Sequence, residues 1–465
     1  MVVERRRTWL IVGGIVVGIL VICLAACLAA GVLIWQSPTA ETVRDQIEEV
    51  ETVQEIRTQG PITAPVETAG ALDDQLALVR EAVITIRGLD MLHDVPIVFL
   101  TVDELEDRLD EEFFGDYSPE DARDDAIALS AFDLLSADFD LYGFYLDLYA
   151  EQVAGYYDPA DLTIYLISGS DSLSATDESI YAHEFTHLLQ DQHFDLEAFL
   201  PDDEEWQIEH PDETLARIAL VEGDATMTQT IYIWRNMPAD RIGTLMEEAQ
   251  ELDLPVLDSA PEVITRDLLF PYLEGLAFVQ ALYASGGYAA VDAAYSDPPT
   301  STEQILHPEQ YITSRDDPQE VSLADGLDVL GDDYRLVYEQ PLGEFYLSLY
   351  LETQLSRATA AVAAAGWDGD RYAVYYNDGT GELAMTLRTV WDDADEAGEF
   401  YETLRDFGES WAGGAPALDE SDRVCWSVVD TLCASWSGGT ETLVERAPTL
   451  DLAEGLLTQE AVAVP

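Results

Sequence analysis

A chain of 465 residues with an apolar content of 48% has material for two or three packed domains. Its charge is far from average: acidic residues outnumber basic ones 92 to 21, and every basic residue is an arginine. Such a surface repels nucleic acid and anionic lipid, which excludes both as partners beyond an anchor. It also suits high salt, where screening over a few Å suppresses self-repulsion; an acidic exported protein is the alternative, but the loss of every lysine goes beyond acidity.

Residues 1–7 end in Arg5, Arg6 and Arg7 and read as a cytoplasmic tail. Residues 8–35 are uncharged and apolar, long enough to cross a bilayer, with Trp9 and Trp35 placed for the two interfaces. The arginines stay inside, so the remainder lies outside the cytoplasm as a single-pass membrane protein. Leu24-Ala-Ala-Cys27 also fits a lipoprotein cleavage box, but the apolar run continues past it, which favours an uncleaved anchor. Residues 36–71 form a stalk and linker: a polar helix with Val43, Ile47, Val50 and Ile56 on one side, then a stretch rich in proline and threonine.

A first subdomain follows, with a helix over residues 72–87, a buried strand over 95–100, a capping box from Thr101 to Glu104 and another helix start at Ser118-Pro-Glu-Asp121. The apolar pattern over 122–153 gives two helices with a break near Ser136. Val153-Ala-Gly-Tyr-Tyr157 and Leu162-Thr-Ile-Tyr-Leu-Ile167 then read as a β-hairpin.

Immediately afterwards comes Tyr181-Ala-His-Glu-Phe-Thr-His-Leu-Leu-Gln190, which holds the pattern HExxH. On a helix, positions i and i+4 share a face, so His183 and His187 grip one metal ion while Glu184 stands beside it as general base. Ser174 or Thr176 caps this helix, and Asp177 and Glu178 suit its first turn. Two residues compete for the third ligand place. His193 matches a pattern that needs a glycine where this chain has Gln190. If the helix runs on through Gln190, His193 lies about 9 Å further along the axis and points away. Glu222, in a helix starting at Pro211, is the better candidate, because Gly223 beside it permits close approach of a neighbouring helix.

HExxH followed by a glutamate on a later helix resembles the gluzincin metallopeptidases. More closely, Glu151-Gln-Val-Ala-Gly-Tyr-Tyr-Asp-Pro159, residues 183–194, Val221-Glu-Gly-Asp-Ala225 and Ser301-Thr-Glu-Gln-Ile-Leu-His-Pro308 look like a set of membrane-associated prokaryotic metallopeptidases. The resemblance implies Zn2+ bound by His183, His187 and Glu222, and an α+β, zincin-like, mainly helical catalytic domain with a small sheet over residues 72–366. It also implies a peptide or protein substrate hydrolysed by a zinc-bound water that Glu184 activates, with the hairpin offering an edge to an extended peptide. One departure stands out: gluzincins carry an acid four residues after the ligand glutamate, and here that place is Thr226, leaving Asp224 and Asp191 as candidates to support the histidines.

Further along, Phe270-Pro-Tyr-Leu-Glu-Gly275 leads into a helix ending at Gly286-Gly287, and a loop carries His307. His307 is a candidate catalytic donor to the oxyanion; Tyr272 and Tyr157 are further candidates. A long apolar helix is expected over 342–365. Residues 367–448, with five strand-like runs around one helix, form a small α+β domain without histidine, followed by a tail over 449–465. Cys425 and Cys433 flank Val429 symmetrically and are placed for a disulfide in an exported chain. The reading that competes with an enzyme is a catalytically inactive zincin-type protein used for surface binding or architecture.

Overall fold

The computed structural model describes residues 60–101, 104–105, 108, 117–167, 172–201, 204–252 and 254–463. The tail, membrane segment and nearly all the stalk read in residues 1–59 lie outside that set. With 56% helix and 16% strand, the protein is α+β. Helices of seven or more residues are labelled below.

Helix α1 (Leu72–Arg87) leads to strand β1 (Ile97–Leu100), and Thr101 and Glu104 exchange backbone-to-side-chain hydrogen bonds just after it. Ser118 and Asp121 do the same at the start of α2 (Pro119–Ala131), where Pro119 pre-sets the first helical φ. After the expected break, α3 (Leu141–Gln152) runs into the hairpin of β2 (Gly155–Asp158) and β3 (Thr163–Ile167). The three strands form one sheet in the order β1-β3-β2, with β1 parallel and β2 antiparallel to β3.

Ser174 and Asp177 cap α4 (Ala175–Phe194), a fully buried helix over most of its length. It packs against α5 (Pro211–Asn236), whose partners run in the opposite direction: Tyr232 bonds Glu178, Gln229 bonds Ser179, and Gln190 bonds Val221. Helix α6 (Ala239–Glu251) leads to α7 (Glu262–Gly286) and α8 (Tyr288–Ala294). Helix α7 begins well before the expected start, and Pro271 lies inside it. Proline cannot donate to the carbonyl four residues earlier, so local preference favours a break there; burial of Phe270, Tyr272 and Phe278 holds the helix together instead. Among the described residues, α7 is the one helix long and apolar enough to cross a membrane; the same apolar run buries Val263, Ile264, Phe278 and Val279 inside this fold.

The expected helix over 342–365 is two helices, α9 (Gly343–Glu352) and α10 (Arg357–Ala364), because Ser356 accepts from Thr359 N and so starts a new one. Around them lies a seven-stranded antiparallel sheet, β4 (Arg335–Gln340), β5 (Trp367–Asn377), β6 (Glu382–Trp391), β7 (Leu418–Asp419), β8 (Arg423–Ser427), β9 (Thr431–Trp436) and β10 (Glu441–Ala447), in the order β4-β5-β6-β10-β9-β8-β7. Helices α11 (Ala394–Ala412) and α12 (Leu450–Ala463) pack on it. The sheet therefore begins before the boundary read at residue 366, and the stretch read as a tail carries α12. Cys425 and Cys433 face each other across β8 and β9 and are joined by a disulfide. The core is continuous between the sheet and the helices before it: the ring of Phe132 in the first part stands edge-on to Tyr372 in β5, at 5.2 Å between centroids.

Candidate metal centre

One turn of α4 separates His183 from His187, so both rings leave the same face and stand 4.6 Å apart between centroids. From α5, Glu222 meets them. His183 Nε2 lies 3.1 Å from Glu222 Oε2, and His187 Nε2 lies 3.5 Å from Glu222 Oε1. Ligands about 2.1 Å from a tetrahedral ion lie roughly 3.4 Å apart, so these spacings fit one ion held by two imidazoles and a carboxylate.

The polar bookkeeping points the same way. His183, Glu184, His187 and Glu222 are all 0% exposed, yet His187 Nε2, Glu222 Oε1 and Glu184 Oε1 have no hydrogen-bond partner. Three such groups left unpaired in one buried place are costly unless a cation satisfies them. For Glu184, burial pushes the carboxyl up to about 8, with His187 and the Tyr157 amide opposing. Burial depresses His183. Burial also presses His187 down, but the Glu222 carboxylate outweighs it and the pKa rises; the two histidines hold Glu222 low against its own burial.

Gln190 fixes the direction of His187. Its Nε2 donates to Val221 O and to Asp224 Oδ2, both at 3.0 Å, so its Oε1 is the atom that faces His187 Nδ1, at 2.8 Å. An acceptor there makes Nδ1 the protonated nitrogen, which leaves the Nε2 lone pair turned toward Glu222. Behind Gln190, Asp224 is held by Arg87 of α1, whose Nε donates to Oδ2 at 2.9 Å, and by Tyr295 OH at 3.0 Å. Asp224 is thus the acid that supports the centre, through Gln190 instead of directly. Asp191 does not: it accepts from Tyr157 OH at 2.7 Å. Neither Gln190 nor Arg87 was legible as a supporting group, since Gln190 is aimed by Val221 and Asp224, and Arg87 acts through Asp224, both far from them in sequence.

Glu184 is oriented from the other side. Tyr157 N, on β2, donates to Glu184 Oε2 at 2.8 Å, and Oε1 is left buried without a hydrogen-bond partner. Tyr272 of α7 places its ring 6.4 Å from that of His183. Two candidates fall elsewhere. His193 accompanies the helix past Gln190 and sits with its Nε2 2.8 Å from Asp90 O. His307 is not brought to the cluster: its Nε2 lies 2.9 Å from Glu344 Oε1. Gly343, next to Glu344, and Thr302 both touch Asp212 near the start of α5, ten residues or about 15 Å along that helix from Glu222. The loop that carries His307 is held at that end of the helix, which is why sequence spacing misled. A small pocket also opens there, between Asp212, Leu215, Asp267, Gln340 and Tyr346, and no member of the cluster lines it.

Close contact between α5 and α7 sets the depth of Glu222. A Cβ on Gly223 would lie 2.2 Å from Gly275 O, and one on Gly275 would lie 2.1 Å from Ala219 O. Gly223 therefore does permit a close helix approach, but the helix it admits is α7, behind the centre.

Residues 334–456 match a family described as a domain of unknown function (DUF8575). That match covers the seven-stranded sheet and most of the helices around it, and leaves the His183, His187 and Glu222 cluster outside. No curated protein and no solved structure matches the chain.

Proposed function

We propose that the chain is a zinc metallopeptidase, tethered by residues 8–35, that hydrolyses peptide bonds outside the cytoplasm. The observation that carries this reading is the buried His183, His187 and Glu222 triangle with the unpaired Oε1 of Glu184 beside it. A helix bearing both histidines, a small sheet against it and a second helix bearing the glutamate support a zincin-like arrangement. Zinc held there supplies a Lewis acid for a carbonyl oxygen and lowers the pKa of a water ligand to about 7. Glu184, anchored through Oε2 by the Tyr157 amide, takes a proton at Oε1 as water oxygen bonds to the carbonyl carbon. The same oxygen returns that proton to the amide nitrogen as the C–N bond breaks, giving an acid and an amine. Tyr272 is the phenol we assign to the carbonyl oxygen, because its ring stands beside that of His183.

One observation favours the second reading, a catalytically inactive scaffold for binding or surface architecture: none of the four residues is exposed. A substrate then needs the surrounding elements to move before it reaches Glu184. Cleavage of a peptide library by the full chain, with a chelator and with zinc restored, separates the two. Hydrolysis lost on chelation and recovered with zinc supports the peptidase; bound metal with no hydrolysis supports the scaffold.

A further inference from the structure

Tyr157 meets helix α4 twice. Its amide donates to Glu184 Oε2 at 2.8 Å, and its phenol donates to Asp191 Oδ2 at 2.7 Å. Glu184 and Asp191 lie two turns apart on one face of α4, about 10 Å along its axis, so one residue of β2 spans both. Gly155 extends the same alignment. It lies against Ile180, one turn before Glu184, where a Cβ would stand 2.8 Å from Ile180 Cγ2 and hold the strand off the helix. Two residues of strand advance about 6.6 Å and four of helix about 6 Å, so β2 and α4 run side by side in step.

Little else fixes that register. Among the described residues β2 pairs with β3 alone, so the sheet grips it along one edge. Tyr156, its neighbour, packs into the other part of the core and stacks on Tyr165 at 4.8 Å, as alternation along a strand requires. Asp191, by contrast, is a firm point of attachment. Its Oδ1 accepts from Leu196 N at 3.0 Å, beyond the end of α4, so both of its oxygens are engaged. The Tyr157 phenol is buried, and burial followed by the Asp191 bond raises its pKa, which keeps it protonated as the donor. A hydroxyl bonded to a carboxylate is charge-assisted and belongs to the stronger class of hydrogen bonds.

We propose that Tyr157 is a positioning residue for the general base: the bond from its phenol to Asp191 sets the register of β2 on α4, and that register brings the Tyr157 amide to Glu184 Oε2. The role rests on the metallopeptidase reading of Glu184. It gives the Gly155-Tyr-Tyr-Asp158 stretch a task besides completing the sheet. The histidines take their support from elsewhere, since Gln190 aims His187 from α5. Loss of the Asp191 bond therefore separates hydrolysis from metal binding: the base loses its orientation while the ligands keep theirs.

The test compares wild type, Tyr157→Phe, Asp191→Ala and the double variant as full chains in detergent micelles. Three quantities are read: hydrogen exchange of the residue 157 amide by mass spectrometry, zinc affinity, and kcat and KM on a fluorogenic peptide chosen from the library. Tyr157→Phe keeps the buried ring and removes only the hydroxyl. It is expected to exchange that amide at least tenfold faster and to lower kcat at least tenfold, with KM and zinc affinity each within about threefold of wild type. In the Asp191→Ala background the same substitution should add nothing, because the bond is already lost. An amide that stays as protected in Tyr157→Phe as in wild type, an equal effect of Tyr157→Phe in both backgrounds, or full hydrolysis beside a loosened amide would overturn the proposal. Absence of hydrolysis by wild type would instead defeat the peptidase reading, and the exchange measurement would still decide whether the Asp191 bond sets the register.

Discussion

At the scale of single residues, the centre depends on groups that prepare the ligands as much as on the ligands. His183 and His187 were legible because helical periodicity alone puts them on one face, Glu184 because the HExxH pattern sets it beside them, and Glu222 because a glycine beside it signalled a close helix contact. Gln190 was legible only as an obstacle to a turn. Its real role, accepting from His187 Nδ1, depends on Val221 O and Asp224, more than thirty residues away, and on Arg87 beyond them. Gln190→Ala should therefore keep the fold but lower metal affinity by roughly 10- to 100-fold, the usual result of removing a partner behind a ligating histidine. Competition with a chromophoric chelator measures this, and an unchanged affinity would mean that Gln190 does not orient the ring. Arg87→Ala leaves Asp224 buried without its ion-pair partner and should cost about 3–5 kcal/mol of stability in urea unfolding.

Between elements, the decisive contact is the crossing of α5 and α7. Gly275→Ala places a methyl group against Ala219 O, so the helices must part; overpacking of this kind costs about 1–3 kcal/mol, and Glu222 moves with its helix. A lower thermal midpoint together with weaker metal binding is expected, and a variant with native metal affinity would show that the centre tolerates the displacement. The sequence signal for this contact was half readable: Gly223 announced a close neighbour but not which one. Pro271 hid α7, because its local effect opposes a helix that burial maintains. The long apolar pattern over 342–365 concealed a break, since Ser356 caps a helix only where the chain turns to let it. By contrast, the β8–β9 pairing and its disulfide followed from two cysteines placed symmetrically about a turn.

For the whole molecule, order along the chain and order in space diverge. Strand β4 precedes two helices yet pairs with β5 after them, so a border drawn where helices give way to strands cuts through one sheet. The acidity itself makes a prediction: with a formal net charge of -71, self-repulsion is screened only in salt, so the thermal midpoint should climb from low to molar chloride, and a flat series would contradict it. The central claim is that one metal sits between His183, His187 and Glu222 while Glu184 moves the proton. Zinc stoichiometry and peptide cleavage, measured together on wild type, Glu184→Gln and Glu222→Ala with folding checked by circular dichroism, test it most directly. The account predicts one zinc and cleavage in wild type, one zinc and no cleavage in Glu184→Gln, and neither in Glu222→Ala; full zinc in Glu222→Ala, or cleavage by Glu184→Gln at the wild-type rate, would contradict it.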